Sequence, residues 1–337
     1  MTNSPLVSII ILNWNSSEDT IRCLESLKNI SYLNYEVFVL DNGSSDDSLS
    51  KIHKWANRKG RKILTKSAAE FNLLKVNEFK GYDFTFILNE INTGFTGGNN
   101  LVVKKLLSIS RSSYILLLNS DTIVTKSFLT NLVRVCQKDK KIGSAQSVLI
   151  RFDKKTIDSL GIEMSGCRVF DSRGGWSVST LQDLEDCREI FGSCGATALY
   201  RADLIKRIGL FDEGLFATFE DFDLAWRIRL EGYKSVLVKN SVVYHRGGVS
   251  RVRGDHVIFD MRSYLGAKNP LVMFNRYYPI SFKIIASLSV NFAVAVISAV
   301  KNHRVTELIS IMLGFPADRR KIGKNKLLKN VQREWIK

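Results

Sequence analysis

Four stretches of the chain carry side chains able to do chemistry. Asp121, in Asn119-Ser120-Asp121-Thr122, follows the apolar run Tyr114–Leu118. A carboxylate at the end of a buried strand can hold Mg2+ or Mn2+, hard cations that take oxygen ligands and bridge to a diphosphate. Equally, Ser120 or Asp121 could cap a helix starting near Lys126. A metal needs a second ligand, and His245, closing the apolar run Val242–Tyr244, is the candidate, although a lone histidine can also be structural. Glu220, Asp221 and Asp223 crowd the start of a helix whose next turn carries Trp226 and Arg227. Thr218 with Asp221 fits a capping box, and acids there complement the helix dipole. That explains one acid better than three, and a rigid helix start is also a mount for a general base. Finally, the loop from Asn92 to Asn100 contains Gly94, Gly97 and Gly98 and opens a helix. It reads either as a loop whose backbone approaches phosphate oxygens or as a tight turn needing positive φ. No Gly-Lys-Ser/Thr follows, so it is not a Walker loop.

The elements that must position these groups are visible as apolar runs. Val7–Leu12, Glu36–Leu40, Phe84–Leu88 and Tyr114–Leu118 read as buried parallel strands. Helical spacing over Glu18–Leu27 and Leu101–Leu107 separates them, predicting a doubly wound α/β sheet for the first 120 residues. Each strand ends in a polar loop: Asn13-Trp14-Asn15, Asp41 to Asp46, Asn92 to Asn100, and Asn119 to Asp121. Ligands of such sheets bind beyond the carboxyl ends of the strands, so the four loops should converge on one site. Arg151–Glu189 loses periodicity and reads as an insertion of loops or an edge hairpin. Helices at Ala202–Ile208 and Asp221–Glu231 and a strand at Ser235–Val238 follow.

Composition narrows the classes. With 337 residues and 45% hydrophobic content the chain can bury a large core, which excludes disorder as the default. A net charge of +16 implies an anionic partner. Nucleic acid is suggested by charge alone, and the basic tail largely accounts for that charge. The five cysteines form no CxxC pair, the four histidines are scattered, and no signal-peptide pattern precedes Val7, so a reducing cytoplasm is expected. Ile280–Val300 is almost wholly apolar, and Lys301–Lys337 carries ten Lys or Arg against three acids. That pattern suits a helix lying on an anionic membrane, one membrane span, or an ordinary buried helix.

Read together, these motifs resemble a family 2 glycosyltransferase of the GT-A fold, in the rhamnosyltransferase-like branch that elongates surface glycans. The likeness rests on Val7 to Asn15, Asp41 to Asp46, Asn92 to Asn100, Leu118 to Thr122, Asp158 to Gly161, Gly192 to Ala196, Gly209 to Glu213, Glu220 to Leu224, Arg227 and Tyr244-His245. It spans Leu6 to Ser250 in order. By that resemblance residues 1–265 form the catalytic domain, with a nucleotide-sugar half (1–125) and an acceptor and catalytic half (126–265), and 266–337 form a helical, membrane-associating tail.

The resemblance also implies roles. Asp41 would accept the N3–H of a uracil or thymine base, with Asn13 and Asn15 lining the pocket. Gly94, Gly97, Gly98 and Asn99 would approach the donor's ribose and phosphates. Asn119 and Asp121 match the metal motif, in which Asn119 replaces the usual first carboxylate. Asp121 and His245 would hold Mg2+ or Mn2+, Asp221 would be the catalytic base, and Glu220 would help bind a glycan or lipid-linked acceptor. The donor expected is a nucleotide diphosphate sugar of dTDP or UDP type. The QxxRW motif of processive synthases is missing, which implies transfer of one or a few sugars. The rivals are a sugar nucleotidyltransferase, which would show a glycine-rich loop with a catalytic Arg or Lys after the first strand, and a non-catalytic glycan- or lipid-binding protein.

Overall fold

Strands buried on both faces organise the molecule. In β1 (Val7–Asn13), Val7, Ile9 and Ile11 enter one core while Ile10 enters another. In β5 (Tyr114–Asn119), Leu116 and Leu118 face the first core, Ile115 and Leu117 the second. A strand covered on both sides has no polar face, which is why these segments read as continuous apolar runs. Helices α1 (Ser17–Leu27), α2 (Ser48–Arg58) and α5 (Phe128–Lys138) cover the first face. The second is covered by α3 (Ala68–Leu73), α4 (Gly94–Ser108), α6 (Ala202–Ile208) and α7 (Glu220–Leu230). The computed structural model describes residues 4–165, 168–171, 174–247, 261–277 and Val300.

The strands β2 (Tyr35–Asn42), β3 (Ile63–Ser67) and β4 (Phe84–Asn89) join β1 and β5 in the all-parallel order β3-β4-β2-β1-β5. Strand order reverses at β1, whose two neighbours are β2 and β5. A crevice therefore opens beyond the ends of β1 and β5.

Past β5 the sheet is mixed rather than mostly parallel. β12 (Thr197–Arg201) inserts antiparallel between β5 and β7 (Ile142–Arg151), and β13 (Lys234–His245) runs parallel to β7. The short β6 (Thr122–Val124) pairs with β13, β8 (Ile157–Ser159) with β7, and β11 (Cys187–Ile190) forms the edge. β9 (Ile162–Ser165) and β10 (Arg168–Asp171) make the separate hairpin expected in the insertion. β13 is longer than the strand read at Ser235–Val238, because a register shift between Val238 and Val242 lets it resume and reach His245.

Helix α8 (Met261–Tyr277) runs across the boundary expected at 265/266 and contains Pro270. Tyr277 stacks on Trp226 with ring centroids 4.8 Å apart, and Met273 enters the same cluster. Ile280–Val300, apart from Val300, lies outside the described residues. Among the described residues no helix is long and apolar enough to cross a membrane.

Candidate active site

Register places the first group. Asn13 lies beside Asp41 in the β1–β2 ladder. Asn13 Nδ2 donates to Asp41 Oδ1 at 2.6 Å, while the Ser44 amide and hydroxyl donate to the two Asp41 oxygens at 3.1 and 2.6 Å. Thr20 Oγ1 donates to Asn13 Oδ1, fixing which way that amide faces. Asn15, with φ of 50°, donates its backbone N–H to Ser44 Oγ and accepts from the Ser45 and Asp46 amides. The Asp41 carboxylate is thus held by several donors in a fixed plane and keeps lone pairs for a further N–H.

Asn42, one residue on, is the hub of the next loop. Its Nδ2 donates to Asn92 Oδ1 and to the Gly94 carbonyl, both at 3.0 Å, and its Oδ1 accepts from Asn89 Nδ2, Thr93 N and Thr93 Oγ1. The three glycines that follow are explained by packing. Gly94 has φ of +74°, and a Cβ there would fall on the Phe216 carbonyl and ring. A Cβ on Gly97 would lie 2.7 Å from Thr93 Cβ, and one on Gly98 2.6 Å from Leu12 Cδ1. Two first-turn amides of α4 are already engaged, Gly94 N with Asn92 Oδ1 and Thr96 N with the Phe216 carbonyl. Asn99 is buried and donates to the Phe95 carbonyl.

Asp121 and His245 meet. The antiparallel β6–β13 register sets His245 against Thr122, and His245 Nε2 lies 3.1 Å from Asp121 Oδ1. On the other side of the ring Nδ1 lies 2.7 Å from Asp158 Oδ2, with Arg151 3.4 Å behind Asp158. Burial works against a charged imidazole, yet the bonds and charges of Asp121 and Asp158 outweigh it and hold the His245 pKa up at about 9. For Asp158, burial is outweighed by His245 and Arg151, and its pKa is lowered. Asp121 caps no helix: β6 follows it, and α5 starts only at Phe128 with Ser127 as N-cap. Asn119 stands at the end of β5, its amide donating to the Ala196 carbonyl at 2.9 Å.

Glu220 and Asp221 open α7, but not through the capping box expected from Thr218. The N-cap is Phe219 in the left-handed conformation, and no side chain caps the helix. Thr218 itself has φ of 66°, which turns it out of capping geometry. Burial first, and the Asp221 charge second, push the Glu220 carboxyl up to about 8, and its Oε2 is buried without a hydrogen-bond partner among the described residues. Burial raises Asp221 as well, against the backbone amides of Phe222 and Gly195. Asp221 stays partly exposed. Asp223 differs: Arg227, Arg276 and Tyr277 bond it, and the arginines hold its pKa below the ordinary value despite burial.

With this geometry in place, comparison with known proteins is decisive at the family level. The glycosyl transferase family 2 model matches residues 8–209, and that of glycosyl transferase family group 2 matches residues 114–315. The chain belongs to glycosyl transferase family 2. It is 20% identical to the poly-beta-1,6-N-acetyl-D-glucosamine synthase of Staphylococcus epidermidis over 68% of this chain and 47% of that protein. Over 79% of this chain and 76% of the other it is 20% identical to the low-salt glycan biosynthesis hexosyltransferase Agl10 of Haloferax volcanii. The chain thus spans about half the length of the synthases it matches. Its fold is similar to that of GalNAc-T7, solved with UDP, GalNAc and Mn2+ (TM-score 0.60, 14% identity, 98% of this chain and 59% of that one). It is also similar to the Pyrobaculum calidifontis mannosyltransferase PcManGT, solved with GDP-Man and Mn2+ (TM-score 0.52, 15% identity, 99% and 80%). The mixed α/β sheet is that of the GT-A glycosyltransferases.

Within this family 2 chain, sequence reading missed Asn42, Ser44 and Asp158 as site residues. Asn42 and Ser44 adjoin Asp41, so a strand-end asparagine before Gly43 was the available signal. Asp158 sits in the segment without periodicity, and only the β7–β8 pairing carries it to His245.

Proposed function

We propose that the chain is a metal-dependent, inverting glycosyltransferase that moves a hexose, rhamnose or a relative, from a dTDP or UDP donor to a saccharide or lipid-linked acceptor in surface glycan synthesis. The observation that carries it is the acid pair at the start of α7. One carboxyl, Glu220, is buried with an orphaned oxygen, and the other, Asp221, is partly open and raised in pKa. Titratable groups tuned this way at a strand-end crevice mark a catalytic centre. The hexosyltransferase and glycan-synthase names of the relatives support the substrate class.

Asp121 and His245 fit a divalent cation. Their donor atoms are 3.1 Å apart, close enough to share one ion, and Asp158 orients the ring through its other nitrogen. Among the described residues no three His, Cys, Asp or Glu side chains are grouped to hold an ion. Asp121 and His245 would hold Mg2+ or Mn2+, hard cations that would take further oxygen ligands from the donor. Such an ion supplies Lewis-acid stabilisation of the leaving diphosphate. Holding it requires His245 to give up the Nε2 proton while Nδ1 keeps its bond to Asp158.

Asp41, Asn13 and Asn15 seat the base, and the Gly94–Asn99 turn of α4 walls the donor side next to Phe216. Asp221 takes the proton of the acceptor hydroxyl as that oxygen attacks the anomeric carbon. The sugar–phosphate bond breaks on the opposite face, its electron pair leaves with the diphosphate, and configuration inverts. Glu220 orients the acceptor. The basic tail is assigned to the anionic inner face of the cell membrane, where each cation near the surface adds about 1 kcal/mol. Incubating the full chain with a panel of nucleotide sugars, Mn2+ and a lipid-linked acceptor pool should release a nucleoside diphosphate. Release of pyrophosphate from a sugar phosphate and a nucleoside triphosphate points instead to a nucleotidyltransferase, and no release at all points to a binding protein.

A further inference from the structure

The segment before the acid pair is held in a conformation its residues do not favour. Phe216, Thr218 and Phe219 have φ of 59°, 66° and 65°, and none is glycine. L-residues with a Cβ avoid this region, so three within four positions persist only where the surroundings impose them. Two elements do so from separate sides. From α4, Thr96 N and Thr96 Oγ1 both donate to the Phe216 carbonyl, at 3.1 and 3.2 Å. From α8, the two hydrogens on Asn269 Nδ2 are shared among the carbonyls of Leu215, Ala217 and Thr218 at 3.0, 2.9 and 2.8 Å. Lys268 adds a bond from Nζ to the Gly214 carbonyl.

Asn269 is fully buried, and its Oδ1 has no hydrogen-bond partner among the described residues. A buried acceptor without a donor is a penalty that an apolar side chain of the same size avoids. What the asparagine provides in exchange is the amide nitrogen. Its three carbonyls belong to the residues that set where α7 starts, and the first two residues of α7 are Glu220 and Asp221.

We infer that Asn269 is a positioning residue of the transfer reaction: it clamps the left-handed 216–219 turn and so aims the Asp221 carboxylate. The inference rests on the transferase reading above. It makes α8 a part of the catalytic domain and places the start of the basic tail directly behind the turn that carries the base.

The test is Asn269→Leu in the full chain, read as kcat, donor KM, melting temperature and UDP affinity in Mn2+. Misplacing a catalytic group by about 1 Å loses on the order of 10²-fold in rate. The expected result is a kcat lowered by about that factor, with donor KM and UDP affinity within about twofold of the parent. Met273→Ala hollows the same interface without touching a carbonyl of the turn, and should lower the melting temperature while kcat holds. If Asn269→Leu does not fold, Asn269→Asp keeps the shape, removes both donor hydrogens and should show the same kcat loss. Unchanged kcat in a folded Asn269 variant, or an equal kcat loss in Met273→Ala, overturns the clamp. A parent chain that turns over no nucleotide sugar overturns the transferase reading and this inference with it, whereas an active parent with an equally active Asn269 variant rejects the clamp alone.

Discussion

The region around Asp41 and the region around Asp221, the proposed donor and catalytic halves of the site, hold their polar groups in opposite ways. Around Asp41 and Asn42, amides and hydroxyls satisfy one another across three loops, and the positive-φ positions there are Asn15 and the glycines Gly43 and Gly94. Around Glu220 and Asp221, three neighbouring residues are left-handed, one carboxyl oxygen and one amide oxygen are buried without partners among the described residues, and both acids are raised in pKa. A binding surface needs acceptors fixed in direction, which a saturated network provides. A base needs proton affinity, and burial supplies it for both acids, at Asp221 against the amide donors that it accepts from. Each half is therefore folded as its task requires, and the contrast can be tested from both sides.

The largest effect expected is on the cation proposed at Asp121 and His245. Chelation with EDTA, or Asp121→Ala, should cut turnover on the order of 10³-fold, since Lewis-acid stabilisation supplies several kcal/mol and each ~1.4 kcal/mol is tenfold. Full activity in chelator removes the metal from the account. Next comes Asp223→Asn, two residues from the proposed base, where the side chain serves structure. Breaking its buried pairs with Arg227 and Arg276 should destabilise the fold by about 3–5 kcal/mol in a denaturant titration. The folded fraction should keep its kcat. Because the Asp223 pKa is lowered in the fold, its contribution is present above the unfolded value of about 3.9 and is lost as pH falls through the folded pKa.

A smaller change is expected on the donor side. Asp41→Asn replaces a charged acceptor by a neutral amide whose nitrogen must face a donor, Asn13 Nδ2 and Ser44 Oγ on one side or Ser44 N on the other, so calorimetric UDP affinity should fall at least about tenfold with kcat at saturation retained. A loss of kcat instead would dissolve the division between halves. The smallest effect is in the pH profile. With the Asp221 pKa raised, the base is protonated at pH values where an ordinary aspartate is ionised. The acidic limb of kcat should therefore lie above the usual aspartate range, falling about tenfold per pH unit. Mn2+ affinity should rise with pH up to about 9, because the ion must displace the His245 proton.

What the sequence made legible follows the range of the interactions involved. β1, β2, β4 and β5 announce themselves because each is buried on both faces, and their loops carry Asn13, Asp41 and Asp121 with them. Asp121 and His245, 124 positions apart and paired in the sequence because a metal needs a second ligand, lie 3.1 Å apart. The second half of the sheet was harder. β3 is half-buried along its whole length and has no apolar run to read, and β12 slots between strands far from it in sequence. Thr218 has the composition of a capping residue, but the left-handed turn imposed by α4 and α8 overrides that local preference. The boundary expected at 265/266 falls inside α8, where Pro270 is a local signal against a helix. Contacts of Met273, Arg276 and Tyr277 with α7 and the loop before it outweigh that local signal.

The most direct test of the division of labour is to measure kcat and the UDP dissociation constant, in Mn2+, on the same preparation of Asp221→Asn. The side chain keeps its size and its bond from the Phe222 amide, which lies 2.8 Å from Asp221 Oδ1, but it can no longer accept the acceptor's proton. The account predicts a kcat lowered by at least about 10²-fold with UDP binding within about twofold of the parent. Near-normal turnover in Asp221→Asn together with a dead Glu220→Gln would move the base one residue earlier and contradict the assignment made here.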